Sequence, residues 1–380
     1  MAIKRQEKTN RIVVLLMAIG VSGILAACGG KSKVDSGVAI RPNGGVIAGG
    51  TANIAPGQDG KAEGSSDNKK DSEKEKVIKN ICILYTGDVH GSIANAGKGD
   101  FYYDEEDLTY SSLTGYKYEL QSQSNAVFMV DAGDCLYGSD YATKDEGMAI
   151  VNLMNEAGYN VAVPGDQDFM YGMDRFLELS EQSQATYISC NLYSKENGVG
   201  LLPSYCILES GGVKVAFVGV TTPDAVDEKS KSYEAFLNED GEKAYDILYS
   251  EEGDKLYSAV QKAVNAARDQ ADYVVLISHL GCQVSEDMTA RPEPLTSKAV
   301  IMSTKGIDVF IDAHAGNEIE SELVPNMAGE TVVLTSAGKN LDAFGEVKIS
   351  KSGKISAKLI KDYDYRADKV YELEKEYIGE

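Results

Sequence analysis

The residues of this chain that are most able to do chemistry lie in five short polar segments, each directly after an apolar run. They include all three histidines of the 380 residues: Thr86-Gly87-Asp88-Val89-His90-Gly91, Asp131-Ala132-Gly133-Asp134, Pro164-Gly165-Asp166-Gln167-Asp168, Ser278-His279-Leu280-Gly281 and Asp312-Ala313-His314-Ala315. A single histidine after a strand is usually a satisfied polar residue. Here all three histidines of the chain lie beside carboxylates. This favours metal ligation, because imidazole and carboxylate together suit Zn, Mn, Fe and similar ions.

The elements that precede these segments must position them. Apolar runs of five to eight residues, such as Ile81–Thr86 and Ala126–Val130, alternate with helical patterns such as Glu146–Ala157. Interleaved strands and helices predict an α/β domain of stacked sheets with helical outer layers. Because open α/β sheets bind ligands at the carboxyl ends of their strands, we expect the five segments to form one site.

Taken in order, the segments resemble the signature of the calcineurin-like metallophosphoesterases: D-x-H, G-D, a G-N-H-E-type segment, S-H-L-G and G-H-x-H. The chain is similar to the branch of bacterial 5′-nucleotidases and 2′,3′-cyclic phosphodiesterases, which Val218–Pro223 and Thr335–Gly338 also match. The resemblance covers residues 79–362 and implies a four-layer sandwich of two mixed β-sheets flanked by helices. It also implies hydrolysis of a phosphate ester, with a nucleotide-like small molecule as the substrate.

The resemblance further implies up to two divalent metal ions, whether Mn, Zn, Fe or Ca. Three aspartates and three histidines would hold them: Asp88 and His90 on the first ion, Asp134 bridging both, and Asp166, His279 and His314 on the second. Two cations about 3.5–4 Å apart activate a water molecule, polarise the phosphoryl oxygens and stabilise the leaving oxygen of an in-line displacement.

The catalytic dyad of the family is replaced in this chain. Gln167 stands where the family has its catalytic histidine, and Met170 stands where it has the carboxylate partner of that histidine. Glutamine can donate a hydrogen bond but cannot transfer a proton. Losing a general acid or base typically costs about 10²–10⁴-fold in rate, so we expect reduced activity.

The ligand pattern also departs from that of the family. Asp166 replaces an asparagine, which keeps a hard-metal ligand and adds a negative charge. Gly316 replaces the second histidine of G-H-x-H and supplies no side chain to the first ion. The second site is therefore expected to be better formed than the first, with water, Asn317 or Glu318 filling the gap.

Two functional hypotheses follow from these substitutions. The chain is either a metallophosphoesterase with diminished catalysis or an inactive protein of the same fold that acts as a metal-containing surface binding or scaffold protein. Gln167, Met170 and Gly316 favour the second hypothesis, and the resemblance over the whole domain favours the first. A solute-binding lipoprotein is a third reading, but it requires a two-lobed hinge that the sequence does not indicate.

The N-terminal residues resemble an export signal. A basic N-terminal region precedes the uncharged apolar run 12–27. The segment Leu25-Ala26-Ala27-Cys28-Gly29 resembles a bacterial lipobox. We expect a lipoprotein signal peptide over 1–27, lipidation of Cys28 and a glycine-rich disordered tether over 28–78. The protein would then be anchored to the extracytoplasmic face of the bacterial membrane. The alternative is an ordinary signal peptide or membrane anchor with an incidental cysteine.

The folded domain is predicted over residues 79–380. After the last predicted strand pair only Tyr363–Glu380 follows, and this tail is predicted to form a short helix against the core. The C-terminal nucleotide-binding domain that the resemblance implies is therefore expected to be absent, unless a separate protein supplies it.

The charge of the chain excludes one class of partner. The formal charge is −22, and because the signal carries +3 and the tether +1, the folded domain carries −26. Nucleic-acid polymers select Lys and Arg, so we expect no binding to them. The acidic run Asp224–Glu242 is predicted to be a solvated excursion near the mouth of the site.

The cysteines of the domain favour thiols over disulfides. Their number is odd, they form no C-x-x-C pair, and most lie in apolar runs: Cys82, Cys135, Cys190, Cys206 and Cys282. A pair between Cys190 and Cys206 is the alternative in an extracellular setting.

Overall fold

The computed structural model describes residues 80–93, 107–123, 125–282 and 292–378. The predicted signal peptide (1–27), the predicted lipidation site Cys28 and the predicted tether (28–78) lie outside these ranges. Within them, no helix is both long enough and apolar enough to cross a membrane.

The strands of the described ranges form two six-stranded mixed sheets and one two-stranded ribbon. Numbered in chain order, the first sheet consists of neighbours β14 (Ile355–Ile360), β13 (Phe344–Ile349), β1 (Ile81–Thr86), β2 (Ala126–Asp131), β3 (Val161–Ala162) and β4 (Thr186–Tyr187). The second consists of β11 (Glu318–Pro325), β12 (Thr331–Ala337), β10 (Val309–Asp312), β9 (Tyr273–Ser278), β7 (Val213–Val220) and β6 (Tyr205–Ser210). The ribbon pairs β5 (Leu192–Ser194) with β8 (Tyr245–Ile247).

Parallel pairing aligns the strand ends from which the polar segments leave. In the first sheet, Thr86 at the end of β1 lies opposite Asp131 at the end of β2. In the second sheet, Ser278 at the end of β9 lies opposite Asp312 at the end of β10. The segments after these strands therefore leave each sheet at a common edge, as the sequence predicts.

Helices cover the outer faces of both sheets. In chain order they are α1 (Tyr110–Ser122), α2 (Asp140–Lys144), α3 (Met148–Ala157), α4 (Met173–Gln182), α5 (Asp254–Arg268), α6 (Ser297–Ser303) and α7 (Asp368–Ile378). Side chains of α1, α3, α4 and α7 join the core on the outer face of the first sheet. Those of α5 and α6 join the core on the outer face of the second.

Strand β1 shows why the protein has layers on both sides of each sheet. Its side chains alternate, so that Cys82 and Leu84 lie in the core under the helices, whereas Ile83 and Tyr85 lie in the core between the sheets. Every residue of β1 is buried, which is typical of a strand covered on both faces. The four-layer sandwich of two mixed sheets flanked by helices is confirmed.

Strand β11 is a feature that the sequence analysis does not predict. It forms the edge of the second sheet, and most of its residues are exposed or half-buried, including Glu318, Glu320 and Glu322. Charged side chains on an edge strand oppose pairing with another chain. They also leave Ile319, Leu323 and Val324 as the only clearly apolar residues of this strand, which weakens the alternation by which a strand is recognised in sequence.

The acidic run Asp224–Glu242 is more ordered than predicted. It contains two short 3₁₀ helices, Pro223–Val226 and Lys231–Phe236, in which Ala225 and Phe236 are fully buried. The prediction of a solvated excursion is therefore wrong for the apolar residues of the run, which pack in the core on the outer face of the first sheet.

The cysteines of the domain are thiols rather than disulfides, as predicted. Cys82, Cys135, Cys206 and Cys282 are buried and Cys190 is half-buried, and none of these five described cysteines forms a disulfide. The alternative pair between Cys190 and Cys206 does not form. Burial raises the pKa of both of these thiols to about 12, which keeps them protonated and unreactive at neutral pH.

The C-terminal helix α7 packs against the core, as the sequence predicts, and buries the carboxylate of Glu374. Its Oε1 accepts a 2.7 Å hydrogen bond from the backbone N–H of Ser111, at the N-terminus of α1. Burial raises the pKa of Glu374 to about 7 and outweighs the opposing effect of the Ser111 hydrogen bonds. The folded protein therefore holds the proton of Glu374 more tightly than the unfolded chain does.

This burial predicts a pH-dependent stability. The pKa of Glu374 in the folded protein lies above the ordinary value of 4.5. Its stabilising contribution to the free energy of unfolding is therefore fully present below pH 4.5 and is lost as pH rises through about 7. Between pH 5 and pH 8, the free energy of unfolding of a Glu374→Gln variant should gain about 2 kcal/mol relative to wild type. Urea titrations at the two pH values measure this difference. Glu372→Gln, on the exposed side of α7, is the control and should follow the wild type; parallel profiles for all three proteins would contradict the assignment.

Candidate metal centre

The six side chains predicted as ligands converge at the carboxyl ends of the strands. Asp88 and His90 follow β1, Asp134 follows β2, Asp166 follows β3, His279 follows β9 and His314 follows β10. Among the described residues they form two groups that share Asp134. One contains Asp134, Asp166, His279 and His314, the other contains Asp88, His90 and Asp134, and the ligand atoms of each group lie within 4.8 Å of one another.

His279 lies at the centre of the larger group and is fully buried. Its Nδ1 lies 2.8 Å from the carbonyl oxygen of Ala132 and donates a hydrogen bond to it, so Nε2 is the ring nitrogen that can ligate a metal. Nε2 faces carboxylates, at 3.2 Å from Asp134 and 3.6 Å from Asp166. Burial lowers the pKa of His279, but these carboxylates outweigh it and hold the pKa well above its usual value. The cluster therefore attracts positive charge.

Two ligand atoms of this group lack hydrogen bonds, which tests whether the residues fit a metal. Nε2 of His279 and Oδ1 of Asp166 are buried and make no hydrogen bond in the described structure. A Cβ on Gly165 would lie 2.7 Å from Nε2 of His279, so glycine leaves the space around this atom open. Buried polar atoms without hydrogen bonds are costly, and a cation between them would satisfy both. The Asp and His cluster thus fits a divalent metal.

The other two histidines are oriented in a similar way. Nδ1 of His90 lies 3.0 Å from Oδ1 of Asn340, and its Nε2 lies 3.8 Å from Asp134. Nε2 of His314 lies 2.9 Å from Oδ2 of Asp224, and its Nδ1 lies 3.3 Å from Asp166. Each imidazole thus has one nitrogen held by an oxygen and the other directed at the cluster. Metal-ligating histidines have this arrangement.

The backbone at several of these positions is in the left-handed region. The φ angles are 51° at Asp88, 53° at His90, 58° at Asp134 and 86° at His314. Such angles are uncommon outside glycine and persist where the surroundings impose them. The carboxylate of Asp88 supplies one such constraint, because it accepts N–H hydrogen bonds of 2.9–3.1 Å from His314 and Gly316. This contact joins the loop after β1 to the loop after β10.

The gap left by Gly316 is not filled by either of the two side chains that the sequence suggests, Asn317 and Glu318. The side-chain amide of Asn317 donates to the carbonyl of Cys282 at 2.9 Å, and Glu318 pairs with Lys361. The expectation that Asn317 or Glu318 supplies a ligand is therefore wrong, because both side chains are directed away. The smaller group retains three side chains, against four in the larger.

Gln167 lies directly over the shared carboxylate. Its backbone N–H donates to Oδ1 of Asp134 at 2.8 Å, and its side-chain Nε2 donates to Oδ2 at 3.0 Å. The structure therefore places the residue that stands for the family histidine beside the centre. At this position the amide can donate hydrogen bonds but has no proton to transfer.

Sequence reasoning assigned no role to three residues that support the site. Asn340 and Asp224 contact His90 and His314 across 250 and 90 sequence positions, and no local pattern indicates such contacts. Asp168 is fully buried and accepts backbone N–H hydrogen bonds of 2.8–3.0 Å from Asp134, Cys135, Leu136 and Gly165. A carboxylate in the polar segment that follows an apolar run was the available signal for Asp168, which joins the loops after β2 and β3.

The contacts of Asp168 predict a large loss of stability on its removal. Burial, followed by the charge of Asp134, raises the pKa of Asp168 to about 6, so it is ionised at pH 8. Asp168→Ala leaves four buried N–H groups without acceptors, at about 1–3 kcal/mol each before relaxation. We expect a loss of at least about 3 kcal/mol, measured by urea unfolding at pH 8. Asp174→Ala, an exposed aspartate in α4, is the control; equal urea midpoints for the two variants would contradict the proposed anchoring.

The comparisons with known proteins agree with this geometry. The family model described as "Bacterial capsule synthesis protein PGA_cap" matches residues 203–341. A 5′-nucleotidase of Vibrio cholerae is 24% identical over 161 residues, which are 42% of this chain and 28% of that protein. The chain thus spans less than a third of the length of this relative.

Solved structures show the same fold. The sulfate thiohydrolase SoxB of Thermus thermophilus aligns with a TM-score of 0.61 at 17% identity, over 80% of this chain and 61% of that one. The calcineurin-like phosphoesterase YfkN of Bacillus subtilis aligns with a TM-score of 0.59 at 16% identity, over 80% of this chain and 99% of that one. The resemblance that the motifs indicated is confirmed: this chain is a relative of bacterial 5′-nucleotidases and has the fold of the calcineurin-like phosphoesterases.

Proposed function

We propose that this chain is a metallophosphoesterase that hydrolyses a phosphate ester of nucleotide type at a reduced rate. The observation that supports this most is the pair of buried ligand atoms without hydrogen bonds, Nε2 of His279 and Oδ1 of Asp166, at the centre of the Asp and His cluster. The sequence relationship to 5′-nucleotidases supplies the substrate class.

The proposed roles follow from the two groups of ligands. Asp134, Asp166, His279 and His314 would hold one cation, and Asp88 and His90 would hold a second together with Asp134. Bound divalent ions would activate a water molecule and neutralise charge on the phosphoryl oxygens. Gln167 would orient Asp134 through its two hydrogen bonds.

The amide at position 167 has a consequence for the substrates that can be cleaved. Without a side chain that protonates the leaving oxygen, departure must depend on how stable that oxygen is as an anion. Esters of p-nitrophenol leave as stabilised anions, whereas the ribose alkoxide of AMP does not. We therefore infer that aryl phosphate esters are cleaved faster than AMP.

We further propose the setting in which the protein acts. The lipobox-like segment around Cys28 supports export and lipid anchoring on the extracytoplasmic face of a bacterial membrane. A separate protein that carries a nucleotide-binding domain is the proposed partner for substrate selection. Both statements rest on the sequence pattern.

A second candidate function is a metal-containing surface binding or scaffold protein without turnover. The observations that favour it are the replacement of both dyad residues by Gln167 and Met170, and the absence of a side chain at Gly316. This function shares the metal centre and differs from the first only in catalysis.

Metal analysis paired with hydrolysis separates the two functions. The purified chain would be assayed for bound metal and for turnover of bis(p-nitrophenyl) phosphate, p-nitrophenyl phosphate and AMP, with Mn²⁺ added and after EDTA treatment. Turnover that EDTA removes and Mn²⁺ restores supports the hydrolase. Stoichiometric metal without turnover of any ester supports the binding protein and contradicts the hydrolase.

A further inference from the structure

We propose that Asp224 is a positioning residue for the metal centre, holding His314 in the ring orientation that directs Nδ1 at the ions. The inference rests on the proposed function, because it requires that the Asp and His cluster binds metal. It concerns a residue of the acidic run that follows β7, outside the polar segments that supply the ligands.

The contact between the two side chains is direct. Oδ2 of Asp224 lies 2.9 Å from Nε2 of His314, while Nδ1 on the opposite side of the ring lies 3.3 Å from Oδ1 of Asp166. A proton on Nε2 donated to Asp224 leaves the lone pair on Nδ1, which is the nitrogen that faces the cluster. The carboxylate therefore selects both the tautomer and the rotation of the ring.

The backbone of Asp224 is well placed to hold this contact, although its side chain is 70% exposed. The side chain of Thr222 accepts a 3.2 Å hydrogen bond from the N–H of Asp224 at the start of the 3₁₀ helix Pro223–Val226. Ala225 and Val226, which follow, are buried in the core. The carboxylate thus projects from a short helix that is anchored on both sides.

His314 needs such a partner more than the fully buried His279 does. His279 is fully buried, so packing holds its ring, and its partner is the carbonyl of Ala132. His314 is 23% exposed and lies on a loop with φ of 86°. Of the three imidazoles, it is the one whose outer nitrogen has a carboxylate rather than an amide or carbonyl oxygen as partner. A carboxylate partner also makes the ligating nitrogen more basic.

The test measures metal affinity rather than turnover. Full-length Asp224→Ala, Asp224→Asn and Asp227→Asn proteins would be titrated with Mn²⁺ against a competing chelator. Asp227 is an exposed carboxylate three positions away whose Oδ1 accepts from the N–H of Lys229, so Asp227→Asn removes the same charge without touching His314. We expect Asp224→Ala to weaken Mn²⁺ binding about 10–100-fold, Asp224→Asn to weaken it less, and Asp227→Asn to leave it unchanged.

A second readout reports the imidazole itself. Nitrogen NMR of the three histidines in protein loaded with diamagnetic Zn²⁺ should show His314 protonated on Nε2 and unprotonated on Nδ1 in wild type, and a loss of that pattern in Asp224→Ala. Unchanged affinity and tautomer in Asp224→Ala, or an equal loss in Asp227→Asn, would overturn the inference. Wild-type protein that binds no Mn²⁺ would overturn the proposed function and the inference with it, whereas equal Mn²⁺ binding by wild type and Asp224→Ala overturns the inference alone.

Discussion

Replacing Asp134 by alanine is expected to abolish metal binding and hydrolysis together. Asp134 is buried, and its Oδ2 lies 3.2 Å from Nε2 of His279 and 3.8 Å from Nε2 of His90, so it is the point at which the two groups of ligands meet. Without Asp134, the bound ions would no longer stabilise the charge of the transition state by several kcal/mol. Because about 1.4 kcal/mol corresponds to a factor of ten in rate, turnover should fall by at least about 10³-fold. Metal content of the purified variant and Mn²⁺-dependent hydrolysis of bis(p-nitrophenyl) phosphate measure the two effects.

The control for this experiment is Asp140→Ala. Asp140 is an exposed aspartate in the first turn of α2, on the same segment as Asp134, and makes no contact with the cluster among the interactions described above. It should retain metal and activity. Retention of both by Asp134→Ala, with a folded protein confirmed by near-UV circular dichroism, would contradict the assignment of the shared carboxylate.

The double variant Gln167→His, Met170→Asp is expected to gain activity by about 10²–10⁴-fold, the usual contribution of a general acid or base. The N–H of Met170 donates to the carbonyl of Gln167 at 3.1 Å, as one turn of 3₁₀ helix. Side chains three positions apart in a 3₁₀ helix eclipse one another, so an aspartate at 170 lies on the same face as a histidine at 167. Steady-state kinetics with AMP and with p-nitrophenyl phosphate measure the gain, which should be larger for AMP because its leaving oxygen needs the proton.

The two single variants, Gln167→His and Met170→Asp, complete a double-mutant cycle. Gln167→His alone should give a smaller gain, and Met170→Asp alone should give none, since a carboxylate without its histidine has nothing to orient. The interaction between the two changes is the difference between the double variant and the sum of the singles. A double variant that keeps its metal and gains no activity would locate the catalytic defect outside the dyad, where Asp166 and Gly316 are the remaining departures from the family pattern.

The fold was largely predictable because both sheets are buried on both faces. Buried strands such as β1 and β7 are continuous apolar runs, and the polar residues that end them stand out. Strand β11 escapes prediction because an exposed edge strand needs no apolar residues and is protected by its glutamates. The prediction therefore failed at this exposed edge strand and, in the interior, at the buried apolar residues of the run Asp224–Glu242.

The candidate site was predictable only as far as its motifs extend. The six predicted ligands lie in motifs, and the structure brings them together. The residues that orient them do not lie in motifs: Asn340 reaches His90, and Asp224 reaches His314, through contacts made by the fold as a whole. Asn317 and Glu318 were wrongly expected near the cluster because sequence proximity does not determine where a side chain points.

The position of β1 bears on when this centre can form during the life of the chain. β1 carries Asp88 and His90 at its end, and Ile81 in β1 lies opposite Ile349 in β13. One edge of β1 therefore stays unpaired until residue 349 has been synthesised, and such long-range pairing is slow. The first sheet, which carries four of the six predicted ligands, is therefore completed only after the last of the six, His314, has been synthesised.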